Sequence, residues 1–480
     1  MKKIITVLLL FTASTSYIFA QEKNFNITIS VKGMENQIGI LANYYGEKRF
    51  VKDTLHFDSK GMSTLKGKKD IPKGVYLIAF PSMNYTSFDV IINETNINLA
   101  TDTFNFIKNM SVKNSIENKQ MYADMNYMIP LGEETDSLKK LLKVVEKDTT
   151  EQRRISTKLD AISKKINIAR KEQIKKNPTT FYSKLLNAMI DIDIPEAPKT
   201  SMGALVDSFY TFHYIQQHYF DNIDFSDSGY VRSPFFRNKL LKYFDAYVSP
   251  QPDSIMKAID FVLNKARANA DMYQFCLNEL FIKYAKSEIM GYDAIYVYMA
   301  EKYYLSGDAP WASEKGLTEL RDRVEAIKPT LIGKTAPNFI VQDSTGKNIS
   351  FHDFISKNKY NILVFWNSDC GHCQHEIPVL NRLYNDSLKI LGVNVFSVST
   401  EQTDSSFRAF AAKNCSLEWQ TGADLHGVSA FRKEYDVTAT PKVFIITKDY
   451  KIIAKNIPMH DLYDFIQFNE GIKNTEKKEK

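Results

Sequence analysis

FWNSDCGHCQHEIP, Phe365 to Pro378, decides how this chain is read. It holds two of the four cysteines and two of the eight histidines, with a Trp and a Glu. The apolar run Asn361–Trp366 has the length of a strand, and a helical pattern follows the second cysteine. A C-x-x-C at a strand-to-helix junction puts Cys370 at the helix N-terminus and Cys373 one turn further in. The two sulfurs can then reach each other and form a disulfide. Unpaired backbone N–H groups and the helix dipole favour a thiolate on Cys370. His372 can add charge or a hydrogen bond. Stabilising the thiolate stabilises the dithiol form and makes the disulfide a better oxidant.

The surrounding sequence supports a strand–helix alternation. Val393–Ser399, Val443–Thr447 and Lys451–Ala454 are further short apolar runs, and Ser405–Lys413 has a helical pattern. Strands separated by helices predict an α/β sheet.

Several motifs here resemble one family. WNSDCGHCQHEIP is similar to the active site of thioredoxin-fold disulfide oxidoreductases. Its C-x-x-C-x-x-E-x-P pattern (Cys370, Cys373, Glu376, Pro378) resembles the exported TlpA/ResA-like group, whose domain is AhpC/TSA-redoxin-like. TATPKVFIIT resembles that family's cis-proline loop, with Thr440 before Pro441, and APNFIVQDSTGKNISFHDF, from Ala336, resembles its opening hairpin. The resemblance runs from about Leu331 to Phe468.

It implies a thioredoxin fold and a thiol-disulfide oxidoreductase. Cys370 would be the attacking thiol and Cys373 the resolving one. Glu376 would tune or shuttle the cysteine proton, where the plainer reading is a surface glutamate in a first helical turn. Pro441 would lie beside the disulfide and leave the Thr440 backbone to pair with a substrate strand. Trp366 matches the family's Trp at the strand end and either tunes the site or only packs. The chain also departs from the pattern. Val364 stands where thioredoxins proper carry a buried acid. Asp369 replaces the commoner Trp, and His372 replaces a frequent Pro. Redox tuning by His372 therefore leaves the direction of electron flow open, with a reductant of partner disulfides preferred over an oxidant or isomerase.

At 480 residues the chain is multidomain. Lys2, Lys3 and the apolar Ile4–Phe11 run, followed by small residues to Ala20, predict a signal peptide over 1–20 and an exported protein. The whole layout resembles envelope proteins of Gram-negative bacteria that place a small β domain and a helical region before a thioredoxin-like domain, which implies the periplasm or cell envelope of a Gram-negative bacterium. Alternation at Phe25, Ile27, Ile29 and Val31, with Val75–Phe80 and Phe88–Ile92, predicts a small N-terminal β domain over 21–112. A central α-helical region is expected over 113–330. There Ile155, Leu159, Ile162 and Ile166 continue a stripe begun by Leu138, Leu141, Leu142 and Val145, as one long helix ending before Pro178 with Asn177 capping the next. The stripe would serve a helical hairpin or, less simply, a dimer contact. Tyr and Phe between 209 and 304 read as core, and Cys276 as a buried inert thiol. Lys328–Pro337 reads as a linker or domain entry, 331–470 as the thioredoxin-like domain, and 471–480 as a charged disordered tail.

A net charge of +6, spread along the chain, gives nucleic-acid binding little support. No cofactor is implied. The partners implied are exported proteins with disulfides or thiols, and a membrane or periplasmic redox partner that resets the pair. Three other readings compete. One is a metal site on Cys370, His372, Cys373 and His375. One turn of helix points these side chains apart, and no second pair of ligands follows. Another is a peroxidase, whose required residues are replaced by Asn367 and Leu363. The third is an envelope binding or scaffold protein in which the redox domain is accessory. Gln374 after the second Cys argues against haem attachment. Cys415 reads as structural rather than as a second resolving thiol.

Overall fold

The computed structural model describes residues 25–67, 71–145 and 148–471. The signal-peptide segment, and the charged tail beyond Gly471, lie outside the described residues. The chain divides into two compact units. One runs to Tyr247 and includes Ala266–Tyr273, and the other comprises Val248–Lys265 and Gln274 onward.

The first unit opens with eight strands: β1 (Phe25–Lys32), β2 (Ile38–Tyr45), β3 (Lys48–His56), β4 (Met62–Gly67), β5 (Gly74–Phe80), β6 (Thr86–Ile92), β7 (Asn96–Asp102) and β8 (Ser111–Lys113). They form two four-stranded sheets, ordered β4-β1-β7-β8 and β3-β2-β5-β6. The alternation in β1 buries Ile27, Ile29 and Val31, as a one-sided strand requires. Phe80 is fully buried and stacks on Phe106 at 5.4 Å between ring centroids.

The expected long helix is two helices, Ile116–Val144 and Thr149–Lys176. Leu138 packs with Ile155 and Ile162, flanked by Leu142, Val145, Leu159 and Ile166, so the stripe closes on itself as a hairpin. The break was encoded locally. Asp148 caps the second helix by accepting from Thr150 and Glu151 N–H, and Glu151 sits three residues on, a capping-box spacing. Asn177 ends this helix instead of starting the next, and Thr180 caps Phe181–Met189.

The second unit joins helices, including Asp293–Met299 and Glu314–Ile327, to a seven-stranded sheet. Its strands are β9 (Ile340–Gln342), β10 (Asn348–Ser350), β11 (Tyr360–Trp366), β12 (Val393–Ser399), β13 (Gln420–Ala423), β14 (Lys442–Thr447) and β15 (Ile452–Lys455), ordered β10-β9-β13-β12-β11-β14-β15. β11 is parallel to β12 and antiparallel to β14. Every β11 residue is buried, because both faces of the sheet are covered. Ile362, Val364 and Trp366 face a core shared with Ile377, Leu380 and Phe407. Leu363 and Phe365 face a second core with Phe351, Phe431 and Tyr435. This is the thioredoxin fold, placed behind β sheets and a helical region.

The segment read as a linker or domain entry is stitched to the sheet, as a domain entry. Gly333 N–H donates to Ile452 O at 2.8 Å and Ala336 N–H to Tyr450 O at 2.8 Å. Cys276 is fully buried, and burial pushes its thiol far up. Among the described residues no helix is long and apolar enough to cross a membrane.

Candidate active site

β11 delivers the chain from the middle of the sheet into the loop Asn367–Asp369, and the helix Gly371–Leu383 starts directly after it. Cys370 is the N-cap of that helix, with extended backbone (φ −82°, ψ 111°), and its Sγ accepts from Cys373 N–H at 3.3 Å. A thiol here takes the place of the Ser or Asp side chain that usually satisfies the first turn. Cys370 is partly exposed, whereas Cys373 is fully buried. The Cys370 thiol also donates to Thr440 O at 3.1 Å, across the start of β14. The Thr440–Pro441 peptide is cis.

The environments of the two thiols pull them apart. Burial alone would raise Cys370. Hydrogen bonds from the Cys373 side chain, the Thr440 side chain and the backbone of Cys373 and His372 outweigh it and hold the thiol below its ordinary value. Burial pushes Cys373 up to about 11, and the neighbouring Cys370 adds to the rise. The partly exposed sulfur is the readier thiolate and the buried one is held protonated.

Two clefts flank the pair. One, of about 350 Å³, is lined by Cys370, Asp369, Thr400, Arg432 and Thr440. The other, of about 380 Å³, is lined by His372, Glu376, Pro441, Asn456 and His460. Glu376 therefore shares a cleft with Pro441 and His372. Its carboxylate pairs with His375 Nδ1 at 2.9 Å, and among the described residues no hydrogen bond joins it to either thiol. His372 is exposed. Trp366 is fully buried under the site, its indole N–H donating to Ser397 Oγ at 2.7 Å and its ring stacked on Phe410 at 4.6 Å. Cys415 Sγ lies 3.7 Å from the same Ser397 Oγ, and burial pushes its thiol up to about 11. Among the described residues no three His, Cys, Asp or Glu side chains gather as a metal site.

The AhpC/TSA family matches residues 332–455. Two domains of unknown function, DUF4369 and DUF5106, match 25–121 and 161–329. The thiol-disulfide oxidoreductase ResA of Bacillus cereus is 34% identical over 151 residues, which cover 32% of this chain and 80% of that protein. The chain belongs to the ResA-like thiol-disulfide oxidoreductases. The ResA of Bacillus thuringiensis is 38% identical over 124 residues, 26% of this chain and 68% of that protein. A solved domain of a possible thiol-disulfide isomerase from Cytophaga hutchinsonii is 34% identical, covering 30% of this chain and 95% of its own, with a TM-score of 0.27. A thioredoxin-like protein from Bacteroides caccae is 18% identical, covering 58% and 99%, with a TM-score of 0.45.

The site of this ResA-like oxidoreductase contains a residue that the sequence reading missed. Glu401, just beyond β12, is 8% exposed and accepts from Ser368 N–H at 3.0 Å and from the Ser368 hydroxyl. Thr400 N–H donates to Trp366 O at 2.8 Å, and Asn367 Nδ2 to Thr400 Oγ1 at 3.4 Å. The end of β12 thus holds the loop that carries Cys370. No local motif marks Glu401. The available signal was topological: loops at the carboxyl ends of neighbouring parallel strands converge on one site.

Proposed function

We propose that this oxidoreductase reduces disulfides in exported partner proteins, with Cys370 as nucleophile and Cys373 as resolving thiol. The asymmetry of the two thiols, one partly exposed and lowered, the other buried and raised to about 11, carries the assignment. The Cys370 thiolate attacks one sulfur of the partner disulfide, forming a mixed disulfide and releasing the other sulfur as a thiolate. Cys373 then loses its proton and attacks Cys370 Sγ. The Cys370–Cys373 disulfide forms, and the partner leaves as a dithiol with two electrons gained. Glu376, one helical turn beyond Cys373, is the proton handler. His372 and Trp366 tune the pair. An extended partner segment pairs with the backbone at Thr440, beside Pro441.

The protein is exported, a reading supported by the N-terminal Lys2, Lys3 and apolar run, and acts in the periplasm or envelope of a Gram-negative cell, as its resemblance in layout to such envelope proteins implies. A separate redox protein returns the pair to the dithiol. The chain is organised as a signal peptide (1–20), a β domain (21–112), a helical region (113–330), the thioredoxin-like domain (331–470) and a tail. Fractionation tests the location: mature protein retained in the cytoplasm would overturn it.

The lowered Cys370 thiol favours a second reading, because a stabilised thiolate makes the disulfide an oxidant. The reduction potential of the pair, measured against glutathione, separates the two. A value near roughly −270 mV or below supports the reductant, and one near roughly −180 to −120 mV supports the oxidant.

A further inference from the structure

The loop that carries Thr440 is tied at both ends by one carboxylate. Asp436 follows the helix Phe431–Glu434 with left-handed backbone (φ 49°), and its carbonyl accepts from Thr438 N–H at 3.0 Å. Lys442, the first residue of β14, bonds from its Nζ to the Asp436 carbonyl and to Asp436 Oδ2 at 3.1 Å. Val437–Pro441 therefore spans two ends joined through a salt bridge. The Asp436 side chain is 8% exposed and that of Lys442 13%. Burial pulls the Lys442 ammonium down, and Asp436 opposes that pull. A buried pair like this contributes little net stability but penalises any geometry that separates it.

The third member comes from outside the sheet. Arg323, on the helix Glu314–Ile327, places a guanidinium nitrogen 2.6 Å from Asp436 Oδ1. That helix end is itself fixed to the sheet. Lys455 of β15, buried, donates to Thr330 O at 3.0 Å and pairs with Asp293. The guanidinium thus reaches Asp436 from a braced element.

We propose that Arg323, acting through Asp436 and Lys442, is a positioning residue that holds the Val437–Pro441 loop in register for an extended substrate segment pairing at Thr440. This rests on the reading above, in which the partner's backbone docks on that loop. A small disulfide makes no such pairing, so it needs only Cys370 and Cys373. The helical region then acts mainly on the handling of peptides and touches the thiol chemistry only through the Thr440 contact to Cys370.

The test uses the full mature chain with two disulfides: an extended peptide containing one cystine, and hydroxyethyl disulfide. Arg323 is half-exposed, so Arg323→Met is expected to fold. Its kcat/KM for the peptide should fall by roughly tenfold, mostly through KM, as for a misplaced binding segment. Its rate with hydroxyethyl disulfide should fall by less than roughly twofold, the small part that passes to Cys370 through its contact with Thr440. Arg323→Lys should recover most of the peptide activity, and Asp436→Asn should follow Arg323→Met. Unchanged peptide kinetics in Arg323→Met, or an equal loss with both disulfides, overturns the proposal. If the wild-type chain exchanges with neither disulfide, the redox reading itself fails and the brace falls with it.

Discussion

Glu117 and Glu401 lie one in each compact unit, and both use a buried carboxylate on backbone N–H groups. Glu117, 3% exposed, accepts from Phe181 and Tyr182 N–H at 2.8 Å each, closing the first turn of the helix Phe181–Met189. Glu401 accepts from Ser368 N–H in the loop before Cys370. The device is the same, a charged acceptor satisfying a backbone donor that would otherwise be buried unpaired. What differs is the neighbour. Beside Glu117 stand Asn93, which donates to it at 2.6 Å, and Asn118, whose side chain both donates to and accepts from the Ile91 backbone at 2.8 Å. All of that serves the fold. Beside Glu401 the loop ends in a thiol. A buried acid becomes relevant to chemistry through what it holds in place.

The sheets differ in the same way. The N-terminal sheets are antiparallel apart from the β1–β7 pair, so their loops scatter to both ends. β11, β12 and β13 are parallel, and the carboxyl ends of β11 and β12 bring Cys370 and Glu401 together.

The sharpest break between the two regions is expected at Cys370. Cys370→Ser should reduce disulfide-exchange turnover to background, while Cys373→Ser should accumulate mixed disulfides with a partner, visible on non-reducing gels. Normal turnover in the Cys370 variant would end the mechanism. Glu117→Ala should cost about 3 kcal/mol in chemical denaturation, since it strands buried N–H donors. Its Cys370–Cys373 potential should stay at the wild-type value, and a shifted potential would erase the contrast drawn here. Glu401→Ala should lower kcat/KM by roughly tenfold with peptide and small disulfides alike, because it loosens the nucleophile's own loop. A purely structural role would leave the rate per folded molecule unchanged.

The pH dependence sharpens the difference between the two thiols. A thiol held below its ordinary value forms thiolate at lower pH, so Cys370 should react with iodoacetamide at a lower pH than a free cysteine does. Cys373, followed in Cys370→Ser, should resist to a higher pH than a free cysteine does, since burial, the largest cause of its rise, remains when Cys370 is removed. Equal pH profiles would refute the asymmetry. The smallest effect is expected from Trp366→Phe, which keeps the stacked ring but removes the N–H donor to Ser397. It should cost about 1 kcal/mol and leave turnover nearly intact. A Cys370–Cys373 potential that does not move at all would end the tuning role proposed for Trp366 and leave it as packing.

The candidate site could be proposed from the sequence because its signals are local. Cys370 and Cys373 are three residues apart, the strand before them is one apolar run, and Glu376 and Pro441 lie within recognisable stretches. The break at 145–148 was equally local, in Asp148 and Glu151, but the continuous Leu and Ile stripe masked it. Asp436 and Lys442 lie six residues apart, yet nothing in their neighbourhood shows that a buried salt bridge closes the loop between them.

The sequence alone determined the C-x-x-C spacing at a strand-to-helix junction, the α/β class of the last third, and the one-sided strands at the start, because helix caps, period-two burial and thiol spacing act over a few residues. Tertiary structure decided that Cys373 is fully buried, that Glu401 holds the loop before Cys370, and that Arg323 reaches the loop 113 positions away at Asp436. Burial and hydrogen-bond partners set a thiol's ionisation, and both come from segments distant in the chain.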